Sequence, residues 1–289
     1  MQNDSRYLDL NAPAKINITL RVLRRRADGF HEIETRMVPV PDVCDRIKVE
    51  WIDGGEEGTV ALVCSEPDVP VDETNLAVRA VRELQGVLGQ PFPALRIVLE
   101  KGIPSGAGLG GGSSDAATVL LALNQMAKLG WTLERLAEVA GRIGSDVPFF
   151  IYGCPCDCSG RGELVKPIDE GSDLVLPPTL LVKPPFGVET PGAYKRWQDS
   201  REIPGVLYAP QSSPVGELVN DLERPVFEKF PFLAELKMWL IEREEVSAAL
   251  MSGSGATVFA FLKQTAVPEL EAELRAHFGE DIWIGRSAG

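Results

Sequence analysis

Histidine is almost missing from this 289-residue chain: only His31 and His277 occur. That excludes metal centres built on three histidines and the HExxH metalloprotease pattern. Basic residues are outnumbered, with 29 Lys and Arg against 42 Asp and Glu, for a formal charge of −13. Sequence-independent nucleic-acid binding needs the opposite balance. No apolar run approaches the ~20 residues of a membrane span. The start, MQNDSRYLDL, has no apolar signal-peptide core. Five cysteines cannot all pair with one another. These absences lead us to expect a cytoplasmic protein with reduced thiols and neither a nucleic-acid nor a membrane partner. An anionic ligand would have to be held by local donors, because the overall field repels it.

What is present is an ordinary globular composition, 44% hydrophobic and 25% charged, which supports a real core. The length fits two domains or one large one. Strands are expected at 16–23, 46–51, 60–63 and 96–99, and helices at 75–88, from about 113 to 128, and at 133–143. GSDVPFFIY (144–152) reads as a loop entering a buried strand. Residues 160–178 mix Gly, Pro, Asp and Glu and read as a linker, which divides the chain into 1–160 and 161–289. Beyond it, strands are expected at 179–183, 246–250 and 257–262, with helical stretches at 192–197, 216–222, 232–244 and 268–278. Strands and helices mix without a strict βαβ rhythm, which indicates an α+β fold.

Pro104, Ser105, Gly106, Ala107, Gly108, Leu109, Gly110, Gly111, Gly112, Ser113 and Ser114 form a loop with five glycines, between a strand and an alanine-rich helix. Glycine lets backbone approach a ligand closely. The free N–H groups of a helix's first turn favour an anion. A bland alternative is a glycine turn that only lets a helix pack closely. The segment matches GxGxxG, but the acidic residue a dinucleotide fold needs about 20 positions on is missing; Met126, Ala127 and Lys128 stand there. No lysine follows the glycines, so Walker A is excluded as well.

This loop resembles the phosphate loop of the GHMP kinase superfamily. APAKINITL (12–20), RRRADGFHEIET (24–35) and GSDVPFF (144–150) are similar to one branch of it. That branch phosphorylates the 2-hydroxyl of 4-diphosphocytidyl-2-C-methyl-D-erythritol, in non-mevalonate isoprenoid synthesis. GRGE (160–163), ETPGAY (189–194), NDLE (220–223) and MSGSGATVFA (251–260) follow in the same order. The resemblance implies an N-terminal ATP-binding domain, a C-terminal substrate-side domain, and an active site in the cleft between them. It also allows the last residues to return to the first domain.

Phosphoryl transfer to an alcohol needs a proton acceptor and positive charge near the transferring group. Lys15 and Asn17 alternate on the first strand and so share a face. Asp146 precedes Val147-Pro148, where a carboxylate can face a cleft; taken alone it also reads as an N-cap, and Lys15 as a solvated strand end. The resemblance places Lys15 and Asp146 either side of the acceptor hydroxyl. It also places Phe30 and Tyr194 on the two faces of a cytosine, His31 at the base's polar edge, and Thr190 near the ribose and diphosphate. The branch often has Tyr where this chain has Phe30. Asn75, Leu76 and Lys101 match positions near the adenine of ATP. Mg²⁺ is expected on chemical grounds; Ser113 or Ser114 is the suggested contact, and the sequence fixes neither its ligands nor the number of subunits. Cys154, Cys156 and Cys158 would share one face of an extended chain, but their spacing does not suit a structural zinc site. They read as small buried hydrophobes where the branch carries residues such as Ala.

Overall fold

Along β1 (Tyr7–Arg25), Ala14, Ile16 and Ile18 alternate with Lys15 and Asn17. The computed structural model, which describes residues 6–168, 174–264 and 268–289, turns this alternation into two faces. The apolar set packs with Val38, Leu181, Leu250, Phe259 and Phe261 in a core shared by two sheets. Lys15 and Asn17 face the other way, where both are nevertheless buried.

β1 pairs antiparallel with β2 (His31–Trp51) over nearly its whole length, from Tyr7↔Glu50 to Arg25↔His31. β3 (Val60–Cys64) and β4 (Leu95–Glu100) run parallel, connected through α1 (Leu76–Leu88). α2 (Gly111–Met126), α3 (Leu133–Ile143) and α4 (Val147–Tyr152) join α1 in a core with Ile47, Leu84, Leu95, Leu120, Leu136 and Phe149. β5 (Cys156–Gly160) pairs with β2 and with β6 (Leu164–Pro167). Beyond residues 169–173 of the expected linker, which lie outside the described residues, β7 (Thr179–Lys183) opens a second sheet, and α5 (Thr190–Arg196) follows it.

β8 (Gln211–Ser213) and β9 (Gly216–Asn220) return to the first sheet, whose order is β3-β4-β2-β1-β9-β8. The division expected at residue 160 is therefore crossed by a strand pair from the second half. α6 (Glu223–Lys229), α7 (Pro231–Ile241) and α8 (Pro268–Phe278) contribute to the core of the second sheet. That sheet has the order β10 (Val246–Met251), β11 (Val258–Leu262), β7, β12 (Trp283–Ser287), all antiparallel. The last strand stays in this second sheet, while Ser287 Oγ and the Ala288 N–H each donate to Asp42 Oδ2 at 2.9 Å.

Two expected elements change type. VPFFIY is helix, not strand: Pro148 sits in the first turn, where its missing N–H is harmless, and Gly153 ends it at φ +63°. A short apolar run does not distinguish a buried strand from a buried helix. Residues 216–220 are strand, not helix, because they lie parallel to β1 at Thr19↔Val219 and Leu20↔Asn220. Among the described residues no helix is long and apolar enough to cross a membrane.

Behind the second sheet, Lys237 Nζ donates to Glu223 Oε2 at 2.6 Å and to the Leu207 carbonyl at 2.6 Å. Burial pushes the Glu223 carboxyl up, against the pull of Lys237. Glu223 Oε1 accepts from the Met251 N–H at 2.9 Å, at the start of the 251–257 loop. Lys237→Met leaves a buried carboxylate without its cation and is expected to lower stability by about 3–5 kcal/mol. A urea titration measures it; a loss well below that range would show that the pair does not hold the loop.

Candidate active site

One cavity of about 930 Å³ runs from Leu76 and Lys101, past the glycine loop, to Phe30, His31, Tyr194 and Gln198. That is the size of a site for small organic ligands. Its middle is built by β1. Lys15 Nζ donates to Asn17 Oδ1 at 2.6 Å and to the Gly108 carbonyl at 2.9 Å. Asp146 Oδ2 lies 3.6 Å from the same ammonium. Burial pulls the Lys15 ammonium down, and the Asp146 charge and hydrogen bond pull it back up. Asn17 is oriented in turn, since its Nδ2 donates to Thr35 Oγ1 at 2.8 Å. Asp146 holds the N-cap position of α4 without making a side-chain cap bond. Its carboxylate is thus left for the cavity, and the helix-cap alternative falls away.

The glycine loop lies against residues 252–257. The Ala256 and Thr257 N–H groups donate to the carbonyls of Gly106 and Ala107 at 3.2 and 3.0 Å. A Cβ on Gly108 would stand 2.3 Å from the Ser252 carbonyl oxygen, and one on Gly110 would stand 2.8 Å from Phe150 Cζ and 3.2 Å from Lys15 Cε. Both residues have φ above +70°. The glycines are needed by close protein contacts as well as by any ligand. Gly110 caps α2, whose first turn carries no acidic residue. Its free N–H groups and dipole therefore favour an anion at this end.

Under the loop, Lys101 Nζ binds Asp45 Oδ2 and, at 2.6 Å, Asp115 Oδ2, with all three side chains nearly out of solvent. Asp45 Oδ1 also accepts from the Gly102 and Ile103 N–H groups at 2.7 and 2.8 Å. One ammonium cannot balance two buried carboxylates. Burial, with the repulsion of Asp45, raises the Asp115 carboxyl to about 7 despite Lys101. The two carboxylates also hold the Lys101 ammonium above its ordinary range, against its own burial.

At the far end the His31 ring stacks on Tyr194, with centroids 5.3 Å apart and planes 27° from parallel. Phe30 is half exposed beside it. Burial, helped by Arg25, lowers the His31 imidazole, so at neutral pH it is uncharged and offers one donor and one acceptor. Thr190 Oγ1 lies 2.8 Å from Ser254 Oγ.

The cavity borders Lys15, Asn17, Phe30, His31, Leu76, Lys101, Asp146, Thr190, Tyr194 and the loop from Pro104 to Ser113. Two expected residues are not brought to it. Asn75 caps α1 through the Ala77 N–H at 2.9 Å and donates to the Pro70 carbonyl at 2.7 Å. Ser114 is fully buried in α2. The Lys101 ammonium is taken by its two carboxylates, and the expected base sandwich between Phe30 and Tyr194 is occupied on its Tyr194 side by His31.

Gly253, Ser254, Arg25, Arg161 and Lys195 border the cavity too. Local sequence pattern singles out none of them, since each stands in a turn, at a strand end or on an exposed helix face. Cys156 and Cys158 are buried on one face of β5, but Cys154 precedes the strand, where its carbonyl accepts from the Cys156 thiol at 3.2 Å. Burial pushes the Cys158 thiol up to about 12, with Asp146 and Asp157 adding to it. That is an unreactive thiol. Among the described residues no cluster of three or more His, Cys, Asp or Glu side chains could hold a metal.

One cavity thus brings together the glycine loop on a helix N-terminus and the Lys15–Asp146 pair. Two family models match: the GHMP kinases N-terminal domain over residues 75–154 and the GHMP kinases C-terminal domain over 207–280. The chain is 40% identical to 4-diphosphocytidyl-2-C-methyl-D-erythritol kinase of Methylacidiphilum infernorum, covering 97% of this chain and 96% of that protein. It is 36% identical to the enzyme of the same name from Desulfotalea psychrophila, covering 96% and 94%. A crystal structure of 4-(cytidine 5'-diphospho)-2C-methyl-D-erythritol kinase superposes with a TM-score of 0.73 at 35% identity, over 98% of this chain and all of that one. Homoserine kinase of Cytophaga hutchinsonii, at 17% identity and a TM-score of 0.66 over 99% and 96%, shares the fold. The chain therefore belongs to the GHMP kinases, and within them to the family of 4-diphosphocytidyl-2-C-methyl-D-erythritol kinases.

Two outcomes test this geometry. Gly110→Ala places a methyl group against Phe150 and the Lys15 stem, in a backbone region that favours glycine. It is expected to weaken ATP binding and to lower kcat together; a folded variant with wild-type values for both would free the loop of this constraint. Asp115 binds its proton more tightly in the folded chain than in the unfolded one. Its stabilising contribution is complete below about pH 4 and is lost as pH rises through about 7. Asp115→Asn removes that slope, so its melting temperature relative to wild type should rise between pH 5 and pH 8. A difference that is flat with pH would place the proton elsewhere.

Proposed function

We propose that the chain transfers the γ-phosphoryl group of ATP to the 2-hydroxyl of 4-diphosphocytidyl-2-C-methyl-D-erythritol. The observation that carries this reading is the position of Asp146. Its carboxylate stands 3.6 Å from a buried ammonium, beside the glycine loop, in a cavity whose far wall is aromatic. The loop and the first turn of α2 would take the ATP phosphates, with Leu76 beside the nucleoside. The alcohol would lie between Lys15 and Asp146. Its oxygen attacks the γ-phosphorus, its proton passes to Asp146, and the bond to the β-phosphate oxygen breaks to release ADP. Little covalent work falls to the protein: positioning and charge stabilisation supply most of the catalysis.

A divalent cation suits this site as a companion of the nucleotide rather than as a resident of a protein cage, because the described residues offer no carboxylate cluster. Ser113 borders the cavity and would lend its hydroxyl; Ser114 faces the core. Mg²⁺ bound there would neutralise charge on the β- and γ-phosphates. At the other end, Phe30 offers a half-exposed ring to stack on cytosine, and His31, itself stacked on Tyr194, presents a neutral edge suited to reading the base. The five cysteines are unpaired, which suits work in the reducing, ATP-supplied cytoplasm.

Asp146→Asn should keep ATP binding and lower kcat by about 10²- to 10⁴-fold. Wild-type turnover in this variant, measured as the chemical step, would remove its role. Phe30→Ala should weaken the cytidine-linked substrate by about 1–3 kcal/mol, with KM for ATP unchanged. The wild type should strongly prefer the cytidine-linked alcohol to the free alcohol. Equal kcat/KM for the two would leave a GHMP kinase of another small alcohol.

A further inference from the structure

The turn that joins β5 to β6 carries a cation at the cavity wall. The Arg161 guanidinium carbon lies 4.8 Å from the centroid of the Phe30 ring, and the residue borders the cavity with Phe30, Ser145 and Asp146. A planar cation over a ring face is held by the ring's quadrupole. The turn itself is fixed: the Arg161 N–H donates to Glu163 Oε2 at 2.5 Å, and the Gly162 N–H to the Ser159 carbonyl at 3.0 Å. Gly162 has φ +109°, and a Cβ there would stand 3.7 Å from Asp146 Oδ1. One short turn therefore places its arginine on the Phe30 ring and its glycine beside Asp146. Among the described residues the only side-chain hydrogen bond of Arg161 is a long one, from Nε to Glu163 Oε1 at 3.4 Å. Its two terminal nitrogens, Nη1 and Nη2, remain as donors.

Resting on the function proposed above, we infer that Arg161 binds the diphosphate that links the nucleoside to the alcohol. In such a substrate the base and the reacting hydroxyl are the two ends of one molecule, with two phosphates between them. Arg161 sits between the residues that would hold those ends. Its planar fork of N–H donors matches phosphate oxygens pairwise. The need is real, because the chain carries a net charge of −13 and repels both anionic ligands at a distance. Other cations at the wall are less suited. The Lys15 ammonium is tied to Asn17, Gly108 and Asp146, and the Lys101 ammonium to Asp45 and Asp115. Arg25 and Lys195 add positive charge, but neither is seated on the Phe30 ring.

The test compares cytidine with CDP, because only the second has the group Arg161 would hold. Calorimetric titrations of the wild type, Arg161→Ala and Arg161→Lys are made with each. The alanine variant should bind CDP about ten- to a hundred-fold more weakly, while its affinity for cytidine and its KM for ATP stay near wild type. The lysine variant should recover part of the loss, since it restores charge without the fork. Equal losses for cytidine and CDP would overturn the inference and make Arg161 a prop for the Phe30 ring. Unchanged CDP affinity in the alanine variant would overturn it as well. The functional reading beneath it fails by a different result: a wild-type protein that binds CDP no better than UDP.

Discussion

A single buried ammonium, that of Lys15, ties this site together. It comes from β1, bonds the Gly108 carbonyl of the glycine loop and Asn17 of its own strand, and faces Asp146 at the start of α4. Three segments distant in sequence must converge before that charge has partners. Burying an ammonium without them would cost several kcal/mol, so the arrangement of loop, strand and helix is strongly coupled. The same ammonium faces Asp146, so a change that loosens the loop also disturbs that pair. On the function proposed above, folding and chemistry rest on one contact.

The second half of the chain holds that convergence from outside. The 251–257 loop lies on the glycine loop through backbone bonds to Gly106 and Ala107. It is braced in turn by Asn220, whose Nδ2 donates to the carbonyls of Met251 and Gly253 at 2.7 Å each. Asn220 ends β9, which is itself a strand of the first sheet. The interleaving of β8 and β9 with β1 is therefore more than a topological detail. It lets the same strand edge carry Lys15 and position the loop that covers it.

Much of this is legible in the sequence, for identifiable reasons. The alternation of Lys15 and Asn17 with Ile16 and Ile18 is enough by itself to put the two polar side chains on one face. The glycine density at a strand-to-helix junction is enough to mark the loop that borders the cavity. Asp146, Phe30, His31 and Tyr194 come only with the resemblance, since local pattern gives each a bland alternative. What stays hidden is tertiary. Nothing near Asn75 shows that its amide is spent on capping α1, and nothing near Lys101 shows Asp45 and Asp115 closing on it from two other elements. The apolar run after Asp146 carries no period that separates helix from strand. Arg161 lies in a turn whose partner, Phe30, is 131 positions away.

The charge distribution joins these parts. An acidic chain that takes two polyanionic ligands into one cavity cannot do so by its overall field. It does so by lowering the local charge at one end and supplying fixed donors at the other. Beneath the glycine loop, burial and the repulsion of Asp45 raise the Asp115 carboxyl to about 7, which lessens the negative charge held there near neutral pH. At the aromatic end, Arg25, Arg161 and Lys195 stand around a neutral imidazole. Asp146 shares the cavity wall with these cations and stands 3.6 Å from the Lys15 ammonium. On the function proposed above, binding energy gained at the aromatic end would set which hydroxyl meets Asp146, so contacts remote from the reacting bond would control its rate.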